Sequence, residues 1–107
     1  MRLFTIQLFS LCLISLSLSG QKAQLNGSLY ESNSPNPISN AAIFLEPGNH
    51  QTISDARGKF EFKDLEPGEY SIRIKHISFR EHQSKISLKE GKQDFFANLE
   101  FKNELMA

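Results

Sequence analysis

The sequence has almost no cysteine, no tryptophan and no excess of charge of either sign. Its one cysteine, Cys12, lies inside an apolar run at the N-terminus. A lipid anchor on Cys12 is excluded by position, because apolar residues continue beyond it and Leu11 precedes it where a small residue is needed. The chain after this run has no thiol, so its stability must come from a packed core, as it does in domains of about 60 residues.

The balance of charge argues against a nucleic-acid-binding protein, and the lack of helical periodicity and of repeats argues against a helical or repeat protein. Lys and Arg together number 12, as do Asp and Glu, among 107 residues. Nucleic-acid-binding domains usually carry a strong basic excess, so no nucleic-acid partner is predicted. No segment shows helical periodicity over three turns, and there is no internal repeat or low-complexity tract. One all-β domain is therefore expected.

The first 19 residues have the pattern of a secretory signal peptide. Met1-Arg2 gives a positive start, an apolar run follows from Leu3 to Leu18, and Ser17 and Ser19 suit a cleavage site. A membrane anchor is the alternative, but the run is shorter than the roughly 20 apolar residues that span a bilayer. Cleavage is expected after Ser19 or Gly20, or else after Ala23, and the mature chain is expected to have no transmembrane segment.

The stretch from 52 to 74 organises the rest of the chain. Asp55 and Gly58 mark a first turn, since Asp can accept a hydrogen bond from the backbone two residues on and Gly can take a positive φ. Pro67 and Gly68 mark a second turn. Apolar residues that alternate with charged ones around these turns form the predicted core face: Phe60, Phe62, Tyr70, Ile72 and Ile74.

About seven short strands with turn signals between them predict an antiparallel β-sandwich. Beyond the stretch just described, the predicted strands span residues 25–30, 41–45, 50–54, 85–89 and 94–101, with a loop over 31–40 and turns at 46–49 and 90–92. Gly27 within the first strand predicts a bulge or the close approach of another backbone. Broken alternation after Ile74 predicts a bulge or a strand end near His76.

In order and spacing, these residues resemble the carboxypeptidase regulatory-like domain, a transthyretin-like β-sandwich. The resemblance covers residues 24–101. One departure is Ser78, where the family often has Gly. The residues that carry the resemblance are Gly27; Pro37-Ile38; Ala41, Ile43 and Leu45; Thr52, Ser54, Asp55, Gly58, Phe60 and Phe62; Leu65, Pro67, Gly68, Tyr70, Ile72 and Ile74; and Phe79.

The resemblance implies a seven-stranded Greek-key sandwich over 24–101, a tail over 102–107, and no catalytic residue, metal or cofactor. Such domains follow the catalytic domain in some carboxypeptidases. They also stand directly after the signal peptide in Bacteroidetes-type TonB-dependent receptors. This implies an exported accessory module in the periplasm, at the outer membrane or outside the cell, with a protein partner or the rest of a receptor.

A second hypothesis treats the chain as the truncated N-terminal domain of such a receptor. The segment Asn103-Glu104-Leu105 resembles the start of the junction that leads to the TonB box in these receptors. The layout of a signal peptide followed directly by the domain is similar to theirs. The chain would then belong to a nutrient-uptake system.

Chemically active sites are the weaker alternatives. A metal site on His50, His76 and His82 would need converging ligands, and neighbouring Lys and Arg residues oppose a cation. A small hydrolase would need a catalytic cluster, and neither a Gly-x-Ser-x-Gly elbow nor the Tyr-Arg-Gly-Ser-type C-terminus of a hydroxyisourate hydrolase is present. A calcium loop needs denser oxygen ligands than the four candidates Asp55, Glu61, Asp64 and Glu66 supply.

Two surface features bear on binding. A basic trend in the second half could meet an acidic partner, but lysines on edge strands are better explained as solvated positions that discourage sheet-to-sheet association. These basic residues are Arg73, Lys75, Arg80, Lys85, Lys89 and Lys92. A carbohydrate-binding module would need exposed aromatic rings, and the candidates are Tyr30, Phe44, Phe79 and Phe96.

Overall fold

The computed structural model describes residues 21–102, which form seven strands and no helix. The predicted signal peptide and residues 103–107 lie outside the described residues. Nothing in the described part forms a helix that could cross a membrane. The strands are β1 (Ala23–Glu31), β2 (Ala42–Glu46), β3 (His50–Ile53), β4 (Lys59–Leu65), β5 (Gly68–His76), β6 (Phe79–Leu88) and β7 (Gly91–Leu99).

Two sheets pack face to face and make the chain a β-sandwich. The smaller sheet has the strand order β4-β1-β7, and the larger has the order β3-β2-β5-β6. One pair departs from the prediction, because β1 and β7 run parallel, from Ala23 opposite Gly91 to Glu31 opposite Leu99. The expectation of a wholly antiparallel sandwich is therefore wrong at this pair. Alternation along a strand shows which face is buried, but it carries no information on the direction of the neighbouring strand.

The two turns that flank β4 carry the chain between the sheets. β4 pairs with β1 and not with its sequence neighbours β3 and β5, which belong to the other sheet. The turns at residues 55–58 and 67–68 therefore cross from one layer to the other. Both sheets point their apolar side chains at the same core, so alternation alone does not distinguish this crossing from a hairpin.

The core lies between the sheets and is built from the inward side chains of both. Leu25 and Leu29 of β1 and Ile43 of β2 have no exposed surface. Burying a side chain of this size stabilises the folded state by about 1.5–3 kcal/mol relative to leaving it in water. The residues predicted to form the core are all buried: Phe60, Phe62, Tyr70, Ile72 and Ile74.

β6 is longer than predicted. It begins at Phe79, whereas alternation in the sequence is clear only from Lys85 onward. The inward positions of its first half include His82 and Ser84, which are half-buried. Because these two residues are polar, they mask the apolar period that would have indicated a strand.

β7 is shifted towards the N-terminus relative to the prediction of 94–101. It ends at Leu99, and Phe101 departs from the inward-facing series to which it was assigned. The Phe101 ring instead stacks on Phe79, with ring centroids 4.4 Å apart, and stays 54% exposed. Phe101 follows β7 of the smaller sheet and Phe79 begins β6 of the larger sheet, so this contact links the two sheets.

Two irregular segments were anticipated. The bulge expected near His76 is confirmed by a register shift between Ile74 and His76. Most of the predicted loop over 31–40 has no regular structure, but Ile38 folds back onto the sandwich and is only 2% exposed. The main-chain N–H of Ile38 donates to the carbonyl of Leu29 over 3.0 Å, so the loop is tied to the C-terminal half of β1.

Gly27 pairs regularly with Phe60 across β1 and β4, and the register shift in this pair lies between Ala23 and Leu25. The bulge predicted at Gly27 itself is therefore wrong. The close approach predicted there does occur, but the group that approaches is the Phe60 ring and not a backbone.

Candidate ligand-binding face

The first turn is held by the side chain of Asp55. Its carboxylate accepts hydrogen bonds from the main-chain N–H groups of Lys59 and Arg57, both over 2.9 Å. Because these donors favour the charged carboxylate, they hold the pKa of Asp55 below its ordinary value. Gly58 closes the turn with a φ of 77°, which lies in the left-handed region that favours glycine.

The second turn joins the end of β4 to β5. Gly68 has a φ of 152°, and Leu65, just before the turn, is 1% exposed. The Tyr70 hydroxyl donates to the carbonyl of Glu66 over 2.7 Å, which ties β5 to the residue that precedes Pro67. The motif residues that the sequence singled out thus lie in turns and core, where they hold the framework that carries the surface.

The outer face of the smaller sheet carries a row of hydrogen-bonding side chains. Asn26 on the central strand lies opposite Glu61 of β4 and opposite Asp94 of β7. The amide nitrogen of Gln24 donates to Asn26 Oδ1 over 3.0 Å and to Glu61 Oε2 over 2.9 Å. Among residues 21–102, no side chain hydrogen-bonds to the Asn26 amide nitrogen or to the Asp94 carboxylate.

A second row on the same face carries a lysine and an exposed ring. Ser28 lies opposite Lys59 of β4 and opposite Phe96 of β7. Lys59 Nζ donates to Ser28 Oγ over 2.9 Å, and Ser28 is 5% exposed although it points outward. Phe96 is 68% exposed. The ring therefore offers an apolar surface directly beside the polar row.

Both rows line one shallow cleft with a volume of about 680 Å³. Thr52 and Ile53 at the end of β3 and Asp55 of the first turn also line it. Ile53 is 61% exposed, so the cleft has a second apolar side chain besides Phe96. Ligand sites combine apolar surface with a few placed polar groups, and this cleft contains both kinds of side chain.

The three histidines lie on three different strands, β3, β5 and β6. His50 packs against Phe62, with ring centroids 6.3 Å apart, and His82 packs against Phe95 at 6.5 Å. His76 lies at the bulge of β5. Within the described part of the chain, no three His, Cys, Asp or Glu side chains are arranged to hold a metal ion.

The acidic residues considered for calcium are divided between two places. Asp55 and Glu61 line the cleft, whereas Asp64 and Glu66 lie at the far end of β4 and beyond it. Glu66 pairs with Lys22 in an ion pair at the surface. The hydrogen bond and the charge of Glu66 raise the pKa of Lys22.

Of the four aromatic residues considered as a binding platform, Phe96 is the strongly exposed one. Phe79 is 5% exposed, so its candidacy as a surface ring is wrong. Tyr30 is half-buried. Phe44 is half-buried on the outer face of the larger sheet, with the Arg73 guanidinium 5.1 Å from its ring centroid.

The sequence pointed to Phe96 and Glu61, but it did not place Asn26, Lys59 and Asp94 beside them. These residues occupy outward positions on three strands that are far apart in the chain. Their period of two marks them as outward-facing. Only the strand order, including the parallel pairing of β1 with β7, brings them into one cleft.

A family model, the CarboxypepD_reg-like domain, matches residues 25–106 of the chain. No curated protein sequence matches the chain significantly. The match begins at the third residue of β1 and reaches beyond the end of β7, so it covers all but the first two residues of the sandwich.

Several solved structures have a similar fold. The group B streptococcus pilus 2b backbone protein has a TM-score of 0.69 at 11% identity, over 84% of this chain and 45% of that one. The Bacillus anthracis TIE protein has a TM-score of 0.67 at 14% identity, over 76% of this chain and 17% of that one. A Bacteroides uniformis protein described as a candidate carbohydrate-binding protein has a TM-score of 0.65 at 14% identity, over 75% and 42%. The chain thus spans less than half the length of each, and at these identities the likeness concerns the fold alone.

Proposed function

Since residues 25–106 match its family model, the chain belongs to the carboxypeptidase regulatory-like domain family, and we propose that it acts as an exported, non-catalytic binding module. The single observation that carries this proposal is the extent of the match. It includes both sheets and every turn of the described sandwich. The family character therefore applies to the domain as a whole and not to one segment of it.

A binding role is supported by how the domain is built. The residues of the family pattern have structural roles. The Asp55 carboxylate holds its turn, and the Tyr70 hydroxyl donates to the carbonyl of Glu66. What remains on the surface is an open cleft on a rigid sheet. Sites carried by strands are held more precisely than sites on loops, so this sheet is suited to recognition.

We place the module outside the cytoplasm, in the periplasm, at the outer membrane or in the medium. This rests on the predicted signal peptide over residues 1–19 and on the family resemblance. The similar folds of a pilus backbone protein and a minor pilin are compatible with a role in assemblies outside the cell. The finer Greek-key arrangement is part of the same proposal, and the strand orders of the two sheets support it.

Fractionation of the source cells tests the proposal. An antibody raised against the folded chain should detect it in the periplasmic, outer-membrane or medium fraction. Mass spectrometry of the captured protein should find a mature N-terminus at Gly20 or Gln21, as expected from cleavage after Ser19 or Gly20. An uncleaved chain in the cytoplasm would rule out the proposed export.

A second candidate function is that of the first domain of a TonB-dependent receptor. It is favoured by the resemblance of residues 103–105 to the receptor junction, which lies outside the described residues. The same blot distinguishes the two functions. A band near the mass of the mature chain supports a separate accessory module, whereas a much larger outer-membrane band supports a receptor in which this domain is one part.

A further inference from the structure

We infer that the cleft on the outer face of the smaller sheet binds a neutral saccharide, with the Phe96 ring as its stacking platform. This inference deepens the proposed function and rests on it, since it names the ligand class of the binding module. It depends on three properties of the cleft: an exposed ring, donors and acceptors that have no side-chain partner among residues 21–102, and an excess of acidic over basic groups.

The exposed ring comes first. Phe96 is 68% exposed on the face that points away from the core. Phe96 on β7 and Lys59 on β4 lie on either side of β1, with Ser28 of β1 between them. Aromatic faces bury large apolar areas at little cost in side-chain entropy and suit ligands with one apolar face. A sugar ring has such a face, formed by its C–H groups, while its hydroxyls point outward around the rim.

The second property is the set of polar groups around the ring. A hydroxyl is both a donor and an acceptor, so a site for several hydroxyls needs both kinds of partner. The Asn26 amide nitrogen and the Lys59 ammonium supply donors, since Lys59 uses only one of its three N–H groups on Ser28. The Asp94 carboxylate supplies acceptors on the other side of β1.

The third property is charge, which disfavours an anionic ligand. The cleft is lined by three carboxylates, those of Asp55, Glu61 and Asp94, and by one ammonium group, that of Lys59. Asp55 accepts from the main chain of its turn and Glu61 accepts from the Gln24 amide, so their oxygens are partly engaged although both keep their charge. This acidic excess repels an anion, whereas a neutral polyol can accept a hydrogen bond from Lys59 and donate one to Asp94.

The dimensions of the face suit a short oligosaccharide. Neighbouring strands lie about 4.8 Å apart, and two residues along a strand advance by about 6.7 Å. The two rows therefore form a patch about 10 Å wide and about 7 Å high, flanked by Ile53 at the end of β3. The cleft is open, so a chain of sugar units can continue beyond it on either side.

The experiment is a binding titration of the full chain, purified after export, against defined oligosaccharides. The neutral probes are hexamers of glucose, xylose and mannose with different linkages. Hexagalacturonate serves as the anionic probe and spermidine as the cationic one. Isothermal titration calorimetry and affinity electrophoresis give the dissociation constants. We expect at least one neutral probe to bind more tightly than either charged probe.

Variants locate the site. Phe96→Ala should weaken binding of the neutral probe by about tenfold or more, and Phe96→Tyr should preserve it. Asp94→Asn should weaken it by several-fold without abolishing the stacking. Phe101→Ala is the matched control, because Phe101 is also an exposed ring, at 54%, but lies outside the cleft. It should leave binding unchanged.

The inference is overturned if no neutral probe binds, if a charged probe binds more tightly, or if Phe96→Ala binds as the unaltered chain does. Failure here is separable from failure of the proposed function. An exported module that binds none of the saccharides keeps its proposed role and loses this ligand. A chain retained uncleaved in the cytoplasm loses the proposed role whatever it binds.

Discussion

The ring of Phe60 lies directly over the α-carbon of Gly27. The two residues are cross-strand partners of β1 and β4, and a Cβ built on Gly27 would lie only 2.0 Å from Cζ of the Phe60 ring. Phe95 of β7 flanks Gly27 on the other side, and the centroids of the Phe60 and Phe95 rings are 6.4 Å apart. Because Gly27 has no side chain, the ring of Phe60 can pack against the central strand beside the ring of Phe95.

Gly27→Ala should destabilise the fold through overpacking. The new methyl group must displace the Phe60 ring, which is 5% exposed and packs against the rings of Phe62 and Phe95. The expected loss is about 1–3 kcal/mol in the free energy of unfolding, measured by urea denaturation. The double variant Gly27→Ala/Phe60→Leu tests the cause, because a smaller side chain at 60 should recover part of the loss. Strict additivity of the two single changes would contradict the contact.

The fold was largely predictable because its inward positions are mostly apolar. Alternation at Phe60, Phe62 and the Tyr70–Ile74 series indicates strands and their buried faces. It could not indicate pairing, because β4 would bury the same side chains whether it joined β3 or β1. The first half of β6 was missed where His82 and Ser84 occupy inward positions, since polar residues there remove the apolar period.

The candidate site was predictable only in part. Phe96 stood out because it is out of phase with the apolar series of the last strand. Its neighbours did not, since Lys59 and Asp94 look like ordinary solvated residues on strands of this kind. Their proximity follows from β1 lying between β4 and β7. A parallel pairing between the first and last strands leaves no local signal, because it depends on the path of the chain through the other sheet.

Ser54 is expected to be a stability-determining hydroxyl. It is 3% exposed. Its Oγ donates to the carbonyl of Ile38 over 2.8 Å and accepts from the N–H of Ala41 over 3.0 Å. Ser54→Ala leaves both main-chain groups without this partner, so the free energy of unfolding should fall by about 1–3 kcal/mol. The measurement is again urea denaturation.

Ser87→Ala is the control for Ser54→Ala. Ser87 is exposed on β6, and surface substitutions of this kind usually change stability by less than about 0.5 kcal/mol. If both variants unfolded at the same urea concentration, the hydrogen bonds of Ser54 would not contribute to stability as argued.

Gly58 and Gly68 should respond differently to the same substitution. Both have positive φ values, 77° and 152°, so alanine is strained at each, by about 1–3 kcal/mol. At Gly58 the added Cβ would also clash with the carbonyl oxygen of Leu29 and lie 3.1 Å from the main-chain nitrogen of Ile38. At Gly68 no atom lies within 4 Å of it.

Gly58→Ala should therefore lower the melting temperature clearly more than Gly68→Ala does. Both variants carry strain from φ, and only Gly58→Ala adds the steric contact with Leu29 and Ile38. Thermal unfolding monitored by circular dichroism measures it. Equal decreases in melting temperature would mean that the loop carrying Ile38 moves aside at no cost. The hydrogen bond from Ile38 to Leu29 would then not hold this loop against β1.

Asp55 should give the domain part of its dependence on pH. Hydrogen bonds from the N–H groups of Lys59 and Arg57 lower the pKa of Asp55 in the folded state. In the unfolded chain an Asp titrates at about 3.9. A group with a lowered folded pKa stabilises the protein fully above its unfolded pKa, and it loses that contribution as the pH falls through the folded pKa. Stability from Asp55 should thus be complete above about pH 5 and decline below about pH 4.

Asp55→Asn isolates this contribution, because the amide keeps an oxygen for the turn and does not titrate. The melting temperature of the variant should lie below that of the unaltered chain at pH 7, and the gap should narrow as the pH falls through the lowered folded-state pKa of Asp55. Asp64→Asn is the matched control, since it removes the same charge from a side chain that accepts no main-chain hydrogen bond among the described residues. A gap for Asp55→Asn that stayed constant from neutral to acid pH would show that the turn depends on the shape of this side chain and not on its charge.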